Sequence, residues 1–184
     1  MPKIIVNIRE RLLEEAKRQV RELGYSSMTI RSVATACGVG TGTVYNYFES
    51  KDKLIASFMM DDWIVCVETI SVGVAEAENV KDALYCMYQE LLTYKEKYKL
   101  LFKDENAEAN NMTSFAKRHH LLRKQLAEPM KKWTQRQDRV DKEFLAEFVA
   151  ESMLNLTMIG KDFELISSVI LQLFYSIDFI ALIY

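Results

Sequence analysis

A chain of 184 residues is long enough to bury a hydrophobic core, as one large domain or as a small domain joined to a medium one. Its 49% hydrophobic and 27% charged residues are typical of a globular protein and exclude the disordered and fibrous classes. The net charge of −2 and the pI near 5.8 exclude a histone-like binder of nucleic acid. Residues 1–60 nevertheless carry nine basic residues against six acidic ones, so any contact with DNA is expected to be local.

Residues that interrupt helices are rare in this chain. It has two prolines and six glycines. Four of the glycines lie close together near the N-terminus: Gly24, Gly38, Gly40 and Gly42. This distribution predicts an all-α fold of about nine helices. The first eleven residues mix charged with apolar side chains and do not resemble a secretory signal, so we expect a cytoplasmic protein.

Apolar residues recur every three or four positions from Ile5 to Leu23, which predicts a first helix. Gly24 is expected to end this helix in the left-handed conformation. After a short connection, Thr29 is placed to cap a second helix, which Gly38 ends.

The residues from Thr43 to Phe48 are predicted to form a short third helix that buries too little surface to be stable alone. Val44 and Phe48 are expected to face inward, leaving Tyr45, Asn46 and Tyr47 to face outward or sideways.

A fourth helix is expected to begin at Glu49 or Ser50 and to join the first three helices to the rest of the chain. Later helices are predicted at residues 80–94, 96–103, 108–137, 141–159 and 162–183. Pro129 lacks a backbone donor and crowds the carbonyl of Gln125, so it is expected to kink or split the helix that contains it.

The stretch TIRSVATACGVGTGTVYNYF has the spacing of a helix-turn-helix. Ala34 is small where two helices touch, Gly38 can adopt a positive φ in the turn, and Val44 returns the next helix to the core. A helix placed in this way can enter a DNA major groove. The alternative is that Tyr45, Tyr47 and Phe48 are core aromatics of a small helical bundle.

The segment from Arg9 to Leu54 resembles the DNA-binding domain of the tetracycline-repressor (TetR) family. The resemblance lies in the glycine-aromatic pair Gly24-Tyr25, the run GVGTGTVYNYF, and Lys51 at the start of the fourth helix. It implies a DNA-binding domain over residues 1–50, and a ligand-sensing and dimerisation domain over residues 51–184. Two departures from the family pattern are Gly40, where a serine is usual, and Thr41, where a lysine is common.

By position, the resemblance implies several DNA contacts. Thr41 and Thr43 would meet base edges or phosphates, Tyr45 and Tyr47 would hold the backbone, and Asn46 would read a base or a phosphate. Charge contacts would come from basic side chains at helix N-termini. The full predicted set is Arg31, Thr41, Gly42, Thr43, Tyr45, Asn46, Tyr47 and Lys51.

Aromatic and methionine residues in the C-terminal part are typical of pockets for small hydrophobic or aromatic molecules. They are equally typical of an ordinary helical core, and that alternative stays open. The candidate ligand-binding residues are Trp63, Tyr85, Tyr88, Phe102, Phe115, His119, Trp133 and Met153. His119 and His120 are not expected to share a metal ion, because adjacent helical residues point about 100° apart. Neither a metal nor another cofactor is predicted.

The last predicted helix is apolar nearly all round, which one buried face cannot explain. A membrane anchor is disfavoured by Glu164, Gln172 and Asp178, which would be costly in lipid. We therefore expect a homodimer through the last two helices, as the family resemblance also implies.

The sequence contains no arrangement typical of an enzyme active site. The expected function is a DNA-binding transcription regulator, a repressor released by a small hydrophobic or aromatic effector. The alternative is a regulator controlled by a protein partner or by cysteine oxidation. Cys37, Cys66 and Cys86 are by default free buried thiols.

Overall fold

The computed structural model describes residues 7–103, 122, 124–135 and 141–180, the last five of these by their backbone alone. The described residues are helices joined by short connections, and this part of the chain has no strand. The helices are α1 Ile8–Leu23, α2 Ile30–Cys37, α3 Thr41–Tyr47, α4 Lys51–Glu76, α5 Val80–Lys97, α6 Lys99–Phe102, α7 residues 124–134, α8 Lys142–Met158 and α9 Phe163–Ile180. The predicted all-α fold of about nine helices is confirmed.

The two ends of α1 differ from the prediction. Asn7 has φ +58°, a left-handed conformation that asparagine tolerates, so the helix begins at Ile8 instead of Ile5. Gly24 has the expected positive φ of +81°, but its ψ of 175° lies outside the left-handed helical region. The first helix therefore ends in an extended conformation that only glycine adopts readily.

The break between α5 and α6 lies at Tyr98, later than the sequence pattern indicates. Tyr98 is fully buried, and its ring stacks on Phe58 of α4 with centroids 6.1 Å apart. Residues 124–134 are helical on both sides of Pro129, so the predicted split at that residue is wrong. Whether Pro129 bends the helix stays a prediction.

The chain divides into two compact units, each with its own core. The first unit comprises Met1–Ile64 and Glu96–Thr113, and the second comprises Val65–Lys95 and Ser114–Tyr184. Residues 96–103 thus belong with the N-terminal helices, although they are far from them in sequence. The predicted domain boundary at residue 50 stays a prediction.

In the first unit, α1 packs on α2 and α6, and α2 packs on α3. The core of the first unit includes Leu12, Met28, Val33, Val44, Leu54 and Tyr98. In the second unit, α8 packs on α9. Its core includes Ile70, Leu84, Met87, Leu126, Met130, Met153 and Ile166.

Candidate functional site

The helix-turn-helix of α2 and α3 has the predicted local geometry. Thr29 caps α2: its hydroxyl accepts from the Ser32 N–H at 2.9 Å, and the Thr29 N–H donates to the Ser32 hydroxyl at 3.1 Å. Gly38 ends α2 with φ +70°, in the left-handed region. Ala34 and Val44 are fully buried, so each serves the packing role that its spacing predicts.

The outer face of α3 is solvent-exposed. Tyr45 and Tyr47 are 54% and 46% exposed, and Thr41, Gly42 and Asn46 are exposed as well. Phe48 is buried, and the Arg9 guanidinium lies 5.7 Å from its ring centroid. The core-aromatic interpretation therefore holds for Phe48 and is wrong for the two tyrosines. The predicted residues of α3 are therefore exposed, except Thr43, which is half-buried.

Gly42 has no structural reason to be glycine in the free protein. It lies inside α3 with an ordinary helical φ, and a Cβ added there would meet no atom within 4 Å. Glycine inside a helix costs about 1 kcal/mol relative to alanine. The residue therefore suits a surface that must approach something outside the chain.

The two predicted cations differ in their surroundings. Arg31 is exposed in the first turn of α2. The Lys51 ammonium donates to the backbone carbonyl of Tyr25 at 2.5 Å. It also lies 3.9 Å from the centroid of the Tyr25 ring. The Tyr25 hydroxyl in turn donates to Asp52 at 2.7 Å. Lys51 thus has a structural role at the start of α4 that the sequence analysis did not anticipate.

Polar contacts on the inner side of α1 were also missed from sequence. Gln19 is buried, and its side-chain oxygen accepts from the Ser32 hydroxyl at 2.6 Å. Arg11 donates to the carbonyl of Cys37 at 3.2 Å. These contacts hold both ends of α2 against α1. A glutamine on the apolar stripe of an amphipathic helix was the available signal.

The candidate ligand residues do not form one set. Trp63 and Phe102 belong to the first unit, whereas Tyr85, Tyr88, Trp133 and Met153 belong to the second. Phe115 and His119 lie outside the described residues. Trp63, Trp133 and Met153 are buried, and Tyr85 is exposed. Tyr85 and Tyr88 both contact the Phe163 ring, with centroids 5.0 and 5.4 Å apart.

Trp133 is the most unusual of these residues. It is 8% exposed, and its indole Nε1 is buried with no hydrogen-bond partner among the described residues. The Thr157 hydroxyl, also in the second unit, shares this condition. A buried donor without a hydrogen-bond partner lowers the stability of the folded protein, so such atoms are usually paired in native structures.

A cleft of about 810 Å³ in the first unit lies along α1. Charged side chains line it, and Arg18 in the cleft pairs with Glu15 at 2.7 Å and Glu22 at 2.5 Å. None of the candidate ligand residues lines this cleft. Six basic and four acidic side chains line it, and it does not have the apolar lining expected of an effector pocket.

The cysteines are poorly suited to oxidation. Burial raises the pKa of the Cys37 thiol, and burial does the same for the pKa of Cys86. A raised pKa lowers the thiolate fraction, and the thiolate is the reactive form. Cys66 is buried and donates to the carbonyl of Glu90 at 3.7 Å. Cys37 and Cys66 are free and buried as expected, whereas Cys86 is free but only half-buried, so the expectation of a buried thiol is wrong there.

Two further features of the described residues bear on the sequence predictions. Across these residues, no group of three or more histidine, cysteine or acidic side chains could hold a metal ion. His119 and His120 fall outside them. A search of the same residues finds no helix with the length and apolar character needed to cross a bilayer.

Residues 12–58 match the family model described as bacterial regulatory proteins, tetR family. The repressor AcnR of Corynebacterium efficiens is 35% identical over 66 residues, which are 36% of this chain and 35% of that protein. The regulator UidR of Escherichia coli K12 is 32% identical over 54 residues, which are 29% of this chain and 28% of that protein. The chain spans roughly a third to a half of the length of the first curated relatives it matches.

Solved structures share the fold over about nine tenths of the chain. The fatty acid degradation regulator FadR of Bacillus halodurans superposes with a TM-score of 0.60 at 19% identity, covering 90% of this chain and 93% of that one. A TetR-family transcriptional regulator of Streptomyces coelicolor gives 0.61 at 19% identity, covering 92% and 96%. At these identities the likeness shows the fold alone.

Proposed function

Because residues 12–58 match the tetR family model, we propose that the protein is a TetR-family transcription regulator, that α3 reads operator DNA and that the protein represses transcription until a small effector releases it. The exposed surface of α3 is the observation that carries this proposal. Val44 and Phe48 anchor the helix, while Tyr45 and Tyr47 are each about half exposed to solvent. Of the two tyrosines, Tyr47 contacts the anchor, with its ring centroid 6.5 Å from that of Phe48, and the hydroxyls of both suit phosphate contacts.

On this proposal, the residues divide by what they touch. Thr41 and Thr43 present a hydroxyl and a methyl group, which suit base edges and the thymine methyl. Asn46 reads a base or a phosphate, and Arg31 contacts phosphate. Lys51 is a poor test residue, because its substitution by alanine would also remove the contact with Tyr25. The experiment is selection of DNA from random oligonucleotides by the purified protein, followed by titration of variants.

Gly42→Ala should stabilise the fold and weaken DNA binding. The free protein has room for the methyl group, so the free energy of unfolding should rise by about 0.5–1 kcal/mol. A methyl group on the DNA-facing surface should hold the backbone away from the groove and lower affinity. Thermal unfolding and titration with the selected DNA measure the two effects.

Thr69→Ala is the control for this prediction, since Thr69 is exposed on α4 within the second unit and alanine also improves its helix propensity. It should gain stability with unchanged affinity for DNA. A Gly42→Ala variant that melts higher and binds DNA as well as the wild type would show that this face of α3 does not approach DNA.

The proposed dimer uses α8 and α9. One face of α9 is buried in its own unit through Ile166, Ile170 and Phe174. The other face exposes Leu165, Val169 and Tyr175 to solvent, and α8 exposes Phe144 and Phe148. Exposed apolar residues on two adjacent helices suit a self-complementary contact with a second copy. Two α3 helices would then read a near-palindromic operator in successive major grooves.

Support for a small-molecule effector comes from Trp133. An effector with an apolar body and a hydrogen-bond acceptor would fit the buried surroundings of its ring and accept from its Nε1. FadR, named a fatty acid degradation regulator, has the same fold and points to carboxylic acids as first compounds to test. Control by cysteine oxidation is disfavoured by the raised pKa of Cys37 and of Cys86.

We expect a ligand of this class to quench the fluorescence of Trp133. Titration with palmitate and with benzoate, measured on Trp63→Phe so that Trp133 is the sole tryptophan, should give saturable quenching with at least one compound. Trp133→Phe is the matched variant, which keeps the apolar ring and lacks the N–H donor. If the quenching compound releases Trp133→Phe from DNA less effectively than it releases Trp63→Phe, the contact with Nε1 is supported. Equal release of the two proteins contradicts the contact.

A further inference from the structure

Three donors from two distant segments of the chain converge on the carboxylate of Asp62. The Lys17 ammonium of α1 lies 2.6 Å from Oδ1, and the Lys97 ammonium at the end of α5 lies 2.5 Å from Oδ2. The Tyr98 hydroxyl also donates to Oδ2. The side chain of Asp62 is 11% exposed, and all four residues belong to the first unit. We call these residues the Asp62 cluster.

The Asp62 cluster carries two positive charges and one negative charge in a largely buried place. Burial acts to raise the pKa of Asp62, but the hydrogen bonds from Lys17, Lys97 and Tyr98 outweigh it, so the pKa of Asp62 is lowered. The carboxylate is therefore ionised at neutral pH. Without its charge, two ammonium groups would face each other with reduced solvation, and α1 would be pushed away from the segment that follows α5.

The position of α1 in turn affects the position of α3. Gln19, two residues after Lys17, is buried and accepts from the Ser32 hydroxyl, which belongs to the cap of α2. Arg11 donates to the carbonyl of Cys37 at the other end of α2. Since α2 packs on α3, a shift of α1 would move α3 as well.

The α6 side of the cluster is equally well defined. Tyr98 is fully buried, stacked on Phe58 and followed by α6. α6 packs on α1, and a Cβ added at Gly24 would lie 3.8 Å from the Cβ of Leu100. Asp62 therefore links α1, α4 and the start of α6 at one point.

We propose that Asp62 is a positioning residue for operator binding: its carboxylate holds α1 against the α5–α6 junction and thereby sets the orientation of α3. The proposal rests on the proposed function, because it assumes that α3 reads DNA. Asp62 acts through α1 and touches no DNA itself. Its loss should therefore reduce specific binding and leave contacts that depend only on charge intact.

The test compares Asp62→Asn with Asp61→Asn, which makes the same charge change at the exposed neighbouring residue of α4. Each protein is titrated at fixed salt with the DNA selected by the wild type and with random-sequence DNA. Removing a negative charge should leave binding of both DNAs unchanged or slightly tighter in Asp61→Asn. Asp62→Asn should lose about tenfold or more in affinity for the selected DNA, as expected when one or two base contacts are misplaced. Its affinity for random DNA should not fall.

A loss of folded protein would lower both affinities by the same factor, so equal losses would overturn the proposal. Identical behaviour of Asp62→Asn and Asp61→Asn would overturn it as well. If Asp62→Asn does not fold, the double variant Lys17→Met/Asp62→Asn, which also removes one unpaired ammonium group, is measured in the same way. Failure of the proposed function is distinguishable, because the wild type itself would then show no preference for any selected DNA.

Discussion

Val169→Asp should convert the proposed dimer into a monomer. Val169 is 59% exposed on the outer face of α9, so a charge there leaves the single chain intact but would lie in the centre of the proposed interface. Ile170, the neighbouring residue, is buried within its own unit, and a charge there would unfold the chain instead. Sedimentation at micromolar concentration should show a monodisperse monomer for Val169→Asp and a dimer for the wild type.

The monomer should also bind the selected DNA about a hundredfold more weakly, because two linked half-site contacts become two separate ones. Val72→Asp is the matched control: Val72 is 58% exposed on α4, and the same charge there should leave the dimer unchanged. A Val169→Asp protein that still sediments as a dimer would show that α9 does not form the interface. A wild type that sediments as a monomer would contradict the dimer itself.

Gly73→Ala should destabilise the second unit, although alanine is the better helix former. A Cβ at Gly73 of α4 would lie 2.1 Å from the Sγ of Cys86 on α5 and 3.3 Å from its Cβ. Overpacking of this kind costs about 1–3 kcal/mol, and the gain in helix propensity is about 1 kcal/mol, so the expected net loss is up to about 2 kcal/mol. Thermal unfolding should show a midpoint lower by about 2–4 °C for each kcal/mol lost.

The double variant Gly73→Ala/Cys86→Ala tests the cause. Removing the sulfur makes room for the new methyl group, so the double variant should be more stable than Gly73→Ala alone. Cys86→Ala by itself should lose a smaller amount, because it only leaves a cavity. If the double variant were as unstable as the sum of the two single variants, the close contact between Gly73 and Cys86 would not be the reason for the glycine.

Features that depend on near neighbours in the chain were predictable from sequence. The cap at Thr29 involves Ser32, three residues away, and the turn at Gly38 depends on a single residue with positive φ. The burial of Val44 and Phe48, beside the exposed Tyr45 and Tyr47, follows from the helical repeat of 3.6 residues. These local rules operate over less than two turns of helix, so a single sequence contains all the information that they need.

The Asp62 cluster could not be predicted in this way, because its partners lie 45, 35 and 36 residues from Asp62 in sequence. In a list of residues, Asp61 and Asp62 are equivalent surface acids. Only the packing of α1 and α6 against α4 makes Asp62 largely buried and gives its carboxylate three donor partners. The same packing places the helix break at Tyr98 and the contact between Lys51 and Tyr25. Local propensity determines where helices form, whereas the identity of their long-range partners depends on which faces meet in the folded chain.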